Sequence, residues 1–381
     1  MDICLVTNRV VRGEGQGRVN YEIARRAAEA GHRVTCVAHD VSPDLHVHPR
    51  ISWVFMPDAE WPLALLGNLR FAWRSTRWLR TYGEAFDLTI GNGCITWFPV
   101  DVNVVHFVHS AWMQSPVHDA RQQRGPRSWY QWLYSRVNAS LEARLLPRAG
   151  VVVAVSETVK HDLEKRRLAQ GPIRVIHNGV DLEEFSPGAA DRGALGLPPE
   201  VPLAFFAGDI RTPRKNLDSV LRALAEVPSL HLAVAGSTDR SPFPALAEDL
   251  GVDDRTHFLG FRRDVAALMR AADLLAFPSR YEACALVLLE AMASGLPIVT
   301  ARTTGGAELL GEDCGVVLDD PDDVSRLAEV LRRLVDEPAL RRTMGTQARA
   351  RAEDLSWSAM AKRYLGLMEE VAASDRHSAP S

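Results

Sequence analysis

The stretch from Asp273 to Glu308, DLLAFPSRYEACALVLLEAMASGLPIVTARTTGGAE, constrains this chain more than any other. Asp273 to Pro278 is an apolar run ending at Pro and Ser, too short for a helix and suited to a buried strand. Residues 279–285 form a loop. From Leu286 the apolar positions Leu286, Leu289 and Met292 or Ala293 recur at helical spacing, and Gly295 followed by Pro297 stops the helix. A second strand and a glycine loop complete the unit. A strand feeding a helix N-terminus presents unpaired amides and a positive dipole end, which makes an anion site.

Seven residues separate Glu282, in the loop, from Glu290, inside the helix. One carboxylate can meet neutral hydroxyls at the helix mouth while the other, about two turns further in, meets a second set. A sugar nucleotide fits this arrangement, with its diphosphate over the amides of Leu286 and Val287, one Glu toward the sugar and one toward the ribose. A plainer reading also fits: Glu282 solvated, and Glu290 at the edge of the packing.

At 381 residues the chain exceeds what one hydrophobic core usually supports, so two domains are expected. No run approaches the roughly 18 apolar residues of a membrane span, and MDICLVTNRV enters a strand at once. The expectation is a chain that is neither secreted nor integral to a membrane. Cys4, Cys36, Cys94, Cys284 and Cys314 are odd in number and without close pairs, the pattern of reduced thiols in a cytoplasm rather than of disulfides or zinc. The cluster Asp319, Asp320, Asp322 and Asp323 around Pro321 reads as a helix start, with Asp320 as N-cap and Pro321 in the first helical position. No metal is expected. Charge is uneven: residues 1–180 hold 22 Lys and Arg against 16 Asp and Glu, leaving 22 against 32 for residues 181–381. The basic half suggests an anionic partner there.

Met1 to Thr7 reads as a strand, Arg9 to Gly17 as a glycine-bearing loop, and Tyr21, Ala24, Ala27 and Ala28 as a helix closed by Gly31. With a second strand over His32 to Ala38, a parallel sheet follows. Gly13, Gly15 and Gly17 miss the dinucleotide fingerprint, although Asp40 stands where a ribose-binding acid would. Segments 69–83 and 121–148 interleave aromatic and basic residues. That pattern suits helices lying on anionic headgroups, or a buried aromatic face with solvated arginines. The acidic second half and the lack of a reading motif argue against nucleic acid. Val102 to Val108 is a strand with His106 and His109 at its C-terminal end, where α/β folds place ligands. After a Gly- and Pro-rich linker at 181–202, Leu203 to Ala207 opens a second domain. Arg211 and Lys215 project at a strand-to-helix mouth before a helix capped by Asn216.

Together these motifs resemble the family 4 retaining glycosyltransferases of the GT-B fold. The matching features are two Glu separated by seven residues, a small-residue helix end, Gly-Leu-Pro, and a later Gly-Gly-x-x-Glu carried here by Gly305, Gly306 and Glu308. The resemblance covers nearly the whole chain. One departure stands out: Ala283, Cys284 and Ala285 replace the family's usual Gly-Phe-Gly, and the methyl of Ala285 is expected to narrow the sugar pocket. The resemblance implies an α/β architecture of two Rossmann-like doubly wound domains facing across a cleft. The N-terminal acceptor domain is expected at 1–182, closing near Asn178, Gly179, Val180 and Asp181. The donor domain then spans 183–356, a helix at 357–372 crosses back to the first domain, and 373–381 forms a disordered tail.

The same resemblance assigns roles. Arg211 and Lys215 clamp the donor diphosphate, Glu282 positions the sugar hydroxyls, Glu290 holds the ribose, and Phe261 and Arg262 lie near the base. Gly15 and Gly17 approach the donor phosphate and the acceptor, and His109 is the better match for a histidine facing the sugar and acceptor, with His106 the other acceptor-side candidate. The implied activity is retaining transfer from a UDP- or GDP-sugar to a hydroxyl acceptor in glycan, polysaccharide or glycolipid synthesis, with no metal and no cofactor beyond the donor. A cytoplasmic location is expected. The aromatic and basic segments suggest peripheral contact with an anionic membrane surface, and lipid-linked, polysaccharide-precursor and small-molecule acceptors all stay open. The rival readings are a nucleotide-sugar epimerase of the same fold, a dinucleotide oxidoreductase and a non-catalytic nucleotide-sugar-binding protein.

Overall fold

The computed structural model describes residues 1–13, 15–57, 63–122 and 125–378. The chain forms two compact units, one of Met1–Ser115, Gln123–Gly179 and Trp357–Ser381, the other of Pro116–Gln122 and Val180–Ser356.

The first unit is built on a seven-stranded parallel sheet: β1 (Asp2–Val6), β2 (Arg33–Ala38), β3 (Ile51–Phe55), β4 (Leu88–Asn92), β5 (Val102–Val105), β6 (Val151–Ala154) and β7 (Ile173–Val175). Their order is β3-β2-β1-β4-β5-β6-β7, so the direction of winding reverses between β1 and β4. The long helices of this unit include α1 (Gly15–Glu29), α2 (Ala64–Tyr82) and α3 (Pro126–Leu145). α1 starts earlier than its apolar spacing suggests, which puts Gly15 and Gly17 in its first turn rather than in the preceding loop. The Gly17 carbonyl accepts the Val11 amide at 3.2 Å, which ties this turn to the loop before it. β5 stops three residues short of the expected Val108, because the chain turns into a single helical turn at His109–Trp112.

The second unit repeats the plan with β8 (Leu203–Ala207), β9 (His231–Ala235), β10 (Thr256–Phe258), β11 (Leu274–Phe277), β12 (Ile298–Ala301) and β13 (Gly315–Leu318). All pairs are parallel, in the order β10-β9-β8-β11-β12-β13. Winding therefore reverses between β8 and β11. The helices that bear on the site are α4 (Leu217–Ala225), α5 (Leu286–Ala293) and α6 (Val324–Asp336). β8, β9, β11 and β12 are buried almost throughout, as expected for parallel strands covered on both faces.

Two expected caps are corrected. Asn216 does not cap α4: its backbone is left-handed (φ 65°), and its buried amide group donates to the carbonyls of Pro278 (3.0 Å) and Pro321 (2.6 Å). α6 begins after Asp323, whose carboxylate accepts the Arg326 amide at 2.9 Å, while Asp320 closes the preceding turn on the Asp322 amide. A cap must reach the third helical amide, and Asp323 is the aspartate at that distance. The last helix, α7 (Trp357–Ser378), lies in the first unit and packs on α1. It runs six residues into the tail expected to be disordered, since no Gly or Pro intervenes between Gly366 and Pro380. Residues 379–381 lie outside the described residues.

Candidate active site

In each unit the loops that leave the two strands at the reversal point diverge, and that divergence is where doubly wound sheets bind ligands. In the second unit these loops follow β8 and β11. Gly208 follows β8 with φ 152°, and a Cβ there would fall 2.5 Å from Cδ of Lys215. Glycine thus leaves room for the lysine stem. The turn at Pro213–Lys215 is tied to the other loop through the Arg214 carbonyl, which accepts from the Arg280 amide (2.9 Å) and the Ser279 hydroxyl (3.1 Å). Arg280 is itself held by Asp218 (2.6 Å) and Asp322 (2.7 Å). Within this frame Lys215 Nζ meets the Glu282 carboxylate at 2.6 Å, with both side chains about 15% exposed. α5 opens four residues later without a side-chain cap, its first amides being those of Leu286 and Val287.

Arg211 is engaged by Asp209, which accepts its backbone amide (3.0 Å) and its guanidinium (2.8 and 2.9 Å). These bonds hold the Asp209 carboxyl below the usual range. Arg211, Gly208, Ser237, Phe261 and Arg262 line a depression of about 410 Å³. Phe261 is exposed there, and Arg262 pairs with Asp264. Glu290, inside α5, has a carboxyl that burial and the nearby Glu184 push up to about 7.

The glycine loop after β12 packs on the loop bearing Glu282. The Gly305 amide donates to the Glu282 carbonyl (2.8 Å), and the Gly305 carbonyl accepts the Ala285 amide (2.9 Å). Ala285 is buried with φ −86° and ψ 96°, a conformation open to any L-residue. The departure from Gly-Phe-Gly therefore leaves the backbone here unstrained.

In the first unit the strands at the reversal are β1 and β4. Thr7 Oγ1 accepts from Asn20 Nδ2 (2.8 Å) and Asn92 Nδ2 (2.9 Å), and Asn20 also donates to the Arg9 carbonyl (3.1 Å). This buried network pins the start of the glycine loop. Beyond β5, His109 opens its helical turn after Val108, whose side chain cannot cap it. Glu142 of α3 takes that place: Oε1 accepts the His109 amide at 2.6 Å and Oε2 the Ser110 amide at 3.1 Å. The His109 ring packs edge-on against Phe107 and Tyr134, with centroids 5.0 and 5.5 Å away. His106 and His109 line a cavity of about 200 Å³ with Asn92, Tyr134, Asn138 and Glu142. Burial lowers the His106 imidazole to about 4, so it is neutral at physiological pH.

Residues 13–184 match the model described as Glycosyltransferase Family 4, and residues 189–351 the model described as Glycosyl transferases group 1. A D-inositol 3-phosphate glycosyltransferase of Saccharomonospora viridis is 32% identical over 308 residues, covering 76% of this chain and 70% of the relative. This chain belongs to the family 4 glycosyltransferases. A relative of the same name in Mycolicibacterium smegmatis is 30% identical to the glycosyltransferase over 306 residues, covering 76% and 68%. Among solved structures, the sucrose-phosphate synthase of Thermosynechococcus elongatus shares its fold with a TM-score of 0.79 at 22% identity, covering 98% of this chain and 99% of that one. Anabaena HepE, solved in complex with UDP-glucose, does so with a TM-score of 0.67 at 22% identity, covering 98% and 100%. The fold of the glycosyltransferase is GT-B, with two Rossmann-like domains.

Of the residues marked in the sequence, Lys215 and Glu282 meet directly at the mouth of α5, and Arg211, Phe261 and Arg262 share one depression. His106 and His109 share another. Sequence reading missed Glu142, Asn20, Asn92 and Glu184. The signal for Glu142 was present: Tyr134, Asn138 and Glu142 recur every four residues on one helix face. Among the described residues no three His, Cys, Asp or Glu side chains gather as a metal site, and no helix is long and apolar enough to cross a membrane.

Proposed function

We propose that this glycosyltransferase moves a sugar from a nucleotide-diphosphate donor to a hydroxyl acceptor with retention of anomeric configuration. The observation that carries the reading is the Lys215–Glu282 pair, 2.6 Å apart, at the start of α5. A cation beside unpaired helix amides is suited to a diphosphate, and a carboxylate next to it is suited to sugar hydroxyls. In this reading Lys215, the amides of Leu286 and Val287, and Arg211 released from Asp209 neutralise the leaving diphosphate without a metal or other cofactor. Glu282 then positions the sugar, Glu290 the ribose, and Phe261 and Arg262 flank the base. The bond from anomeric carbon to phosphate oxygen breaks, the acceptor oxygen forms its bond on the same face, and the acceptor proton passes to the leaving phosphate. His109 serves the acceptor side, His106 supports it as a neutral ring, and Gly15 and Gly17 approach the donor phosphate and the acceptor. HepE in complex with UDP-glucose makes UDP-sugars the first donors to try, and the relatives' name makes a phosphorylated inositol the first acceptor.

A thermal-shift panel of UDP, GDP, ADP and TDP, their sugars, and NAD, each with and without EDTA, tests the donor. A ligand at a hundred times its dissociation constant stabilises by about 2.7 kcal/mol. One nucleotide diphosphate is expected to stabilise regardless of EDTA. Silence across the panel, or a response to NAD alone, sinks the reading. The panel also carries a pH prediction. Glu290 has its carboxyl raised from 4.5 to about 7, so its contribution to stability is full below 4.5 and fades as pH rises through about 7. Ribose hydroxyls donate to the ionised form. Nucleotide stabilisation is therefore expected to grow from about pH 5 to 7 and level off above, while the unliganded protein loses stability over the same window, and Glu290→Gln should flatten the first trend.

Membrane contact belongs to the same proposal. α3 buries Ser128, Ser135, Asn138 and Glu142 and exposes Trp129 (63%) and Trp132 (43%), while α2 exposes Trp73 (51%) and Tyr82 (53%). The four arginines of α2 face no acid on their own helix. Tryptophans and arginines exposed together suit an anionic lipid surface. Co-sedimentation with phosphatidylglycerol vesicles at low salt is expected, and full recovery in the supernatant removes this part of the proposal.

A further inference from the structure

α3 turns a polar stripe inward, and the ionisable member of that stripe, Glu142, has no role in the transfer outlined above. The residue is 3% exposed. A carboxylate so placed needs donors, and two of its donors are the main-chain amides of His109 and Ser110, one on each oxygen. Those amides open the turn His109–Trp112. Ser, Thr or Asp at position 108 would satisfy them locally, but Val108 stands there. Glu142 does from 33 residues along the chain what a neighbouring cap does elsewhere.

We propose that Glu142 is a positioning residue for the acceptor-side histidine: its carboxylate clamps the first turn of His109–Trp112 and so holds the His109 ring against Phe107 and Tyr134. The inference rests on the proposed role of His109. Tyr134 is two turns before Glu142 on α3, so one helix supplies both the clamp on the backbone and a wall for the ring. The groups that face the carboxylate come from several elements: His106 and His109 after β5, Cys94 after β4, Tyr134 on α3, and Arg166 at the end of the helix Glu157–Lys165. Burial raises the Glu142 carboxyl to about 7, against the pull of the two amides and Arg166. Protonation leaves one oxygen a donor, and the clamp loses half its grip.

Glu142→Gln keeps the shape but turns an NH₂ toward one of the two amides. Its turnover is expected to fall about a hundredfold with donor KM unchanged. At saturating donor, where ionisation of Glu290 no longer limits binding, the acid limb of the parent's turnover should be absent from this variant. Combined with His109→Ala, the substitution should cost nothing further, since both act through one group. Glu142→Asp, which keeps the charge, should recover part of the loss. Parent-like turnover in Glu142→Gln, or losses that multiply in the double variant, would overturn the proposal. If His109→Ala turns over like the parent, the acceptor-side assignment of His109 is what fails. Should Glu142→Gln not fold, Glu142→Asp decides: its carboxylate is one methylene short of the two amides, so parent-like turnover in it is incompatible with the clamp.

Discussion

Lys215→Ala is expected to lower turnover about a thousandfold, the upper end of what one preorganised donor contributes to a transition state. The lysine is the cation paired with Glu282, at 2.6 Å and with about 15% of either side chain exposed. Its loss removes a positive charge from the leaving diphosphate and also leaves Glu282 half-buried without its partner. The second effect should cost about 1–3 kcal/mol of stability. Arginine should not rescue. The lysine stem runs against Gly208, where a Cβ would come within 2.5 Å of Cδ, and a planar guanidinium is wider than that passage and differently directed. Single-turnover kinetics at saturating donor, alongside thermal unfolding, separate the two effects. Turnover within about threefold of the parent would remove Lys215 from the chemistry.

The residues that make this pair were legible in the sequence, but the pair itself was not. α5 begins at Leu286, where the apolar spacing places it, and ends before Gly295 as punctuation predicts. The bond between residues 215 and 282 depends on β8 and β11 being neighbours, which no local pattern records. Glu142 was hidden for a different reason. Reading a helix by its apolar face assumes that an apolar face turns inward, and α3 buries Ser135, Asn138 and Glu142 while exposing Trp129 and Trp132. Its aromatic and basic residues mark the exposed side instead. β3 escaped notice because only its first residue is fully buried, so no clean alternation marks it, and β4 because Gly91 interrupts its run. The Ala283–Ala285 departure brings no backbone strain, since Ala285 sits at φ −86°, which is a separate matter from the room its methyl leaves for a sugar.

Gly305→Ala is expected to be the most damaging single-methyl change in the donor unit. A Cβ on Gly305 would lie 2.0 Å from the Ala283 carbonyl oxygen and 2.8 Å from that of Glu282, both main-chain atoms that no side-chain rotation can move. The same residue donates to Glu282 and accepts from Ala285. Relief therefore requires the two loops to separate and both bonds to lengthen. Overpacking and the two weakened bonds together should cost about 3 kcal/mol, a fall of roughly 5–10 °C in the unfolding midpoint. The shift also draws Glu282 from Lys215, so turnover should drop by about a hundredfold. Gly306→Ala is the informative control. Gly306 has φ 99°, which strains any L-residue by about 1–2 kcal/mol, yet its added Cβ would meet only Leu288 Cδ1, at 3.8 Å. If backbone strain governed this loop, the substitution at 306 would do the greater harm. If close approach of the loops governs it, the substitution at 305 will, and only that one should separate Lys215 from Glu282.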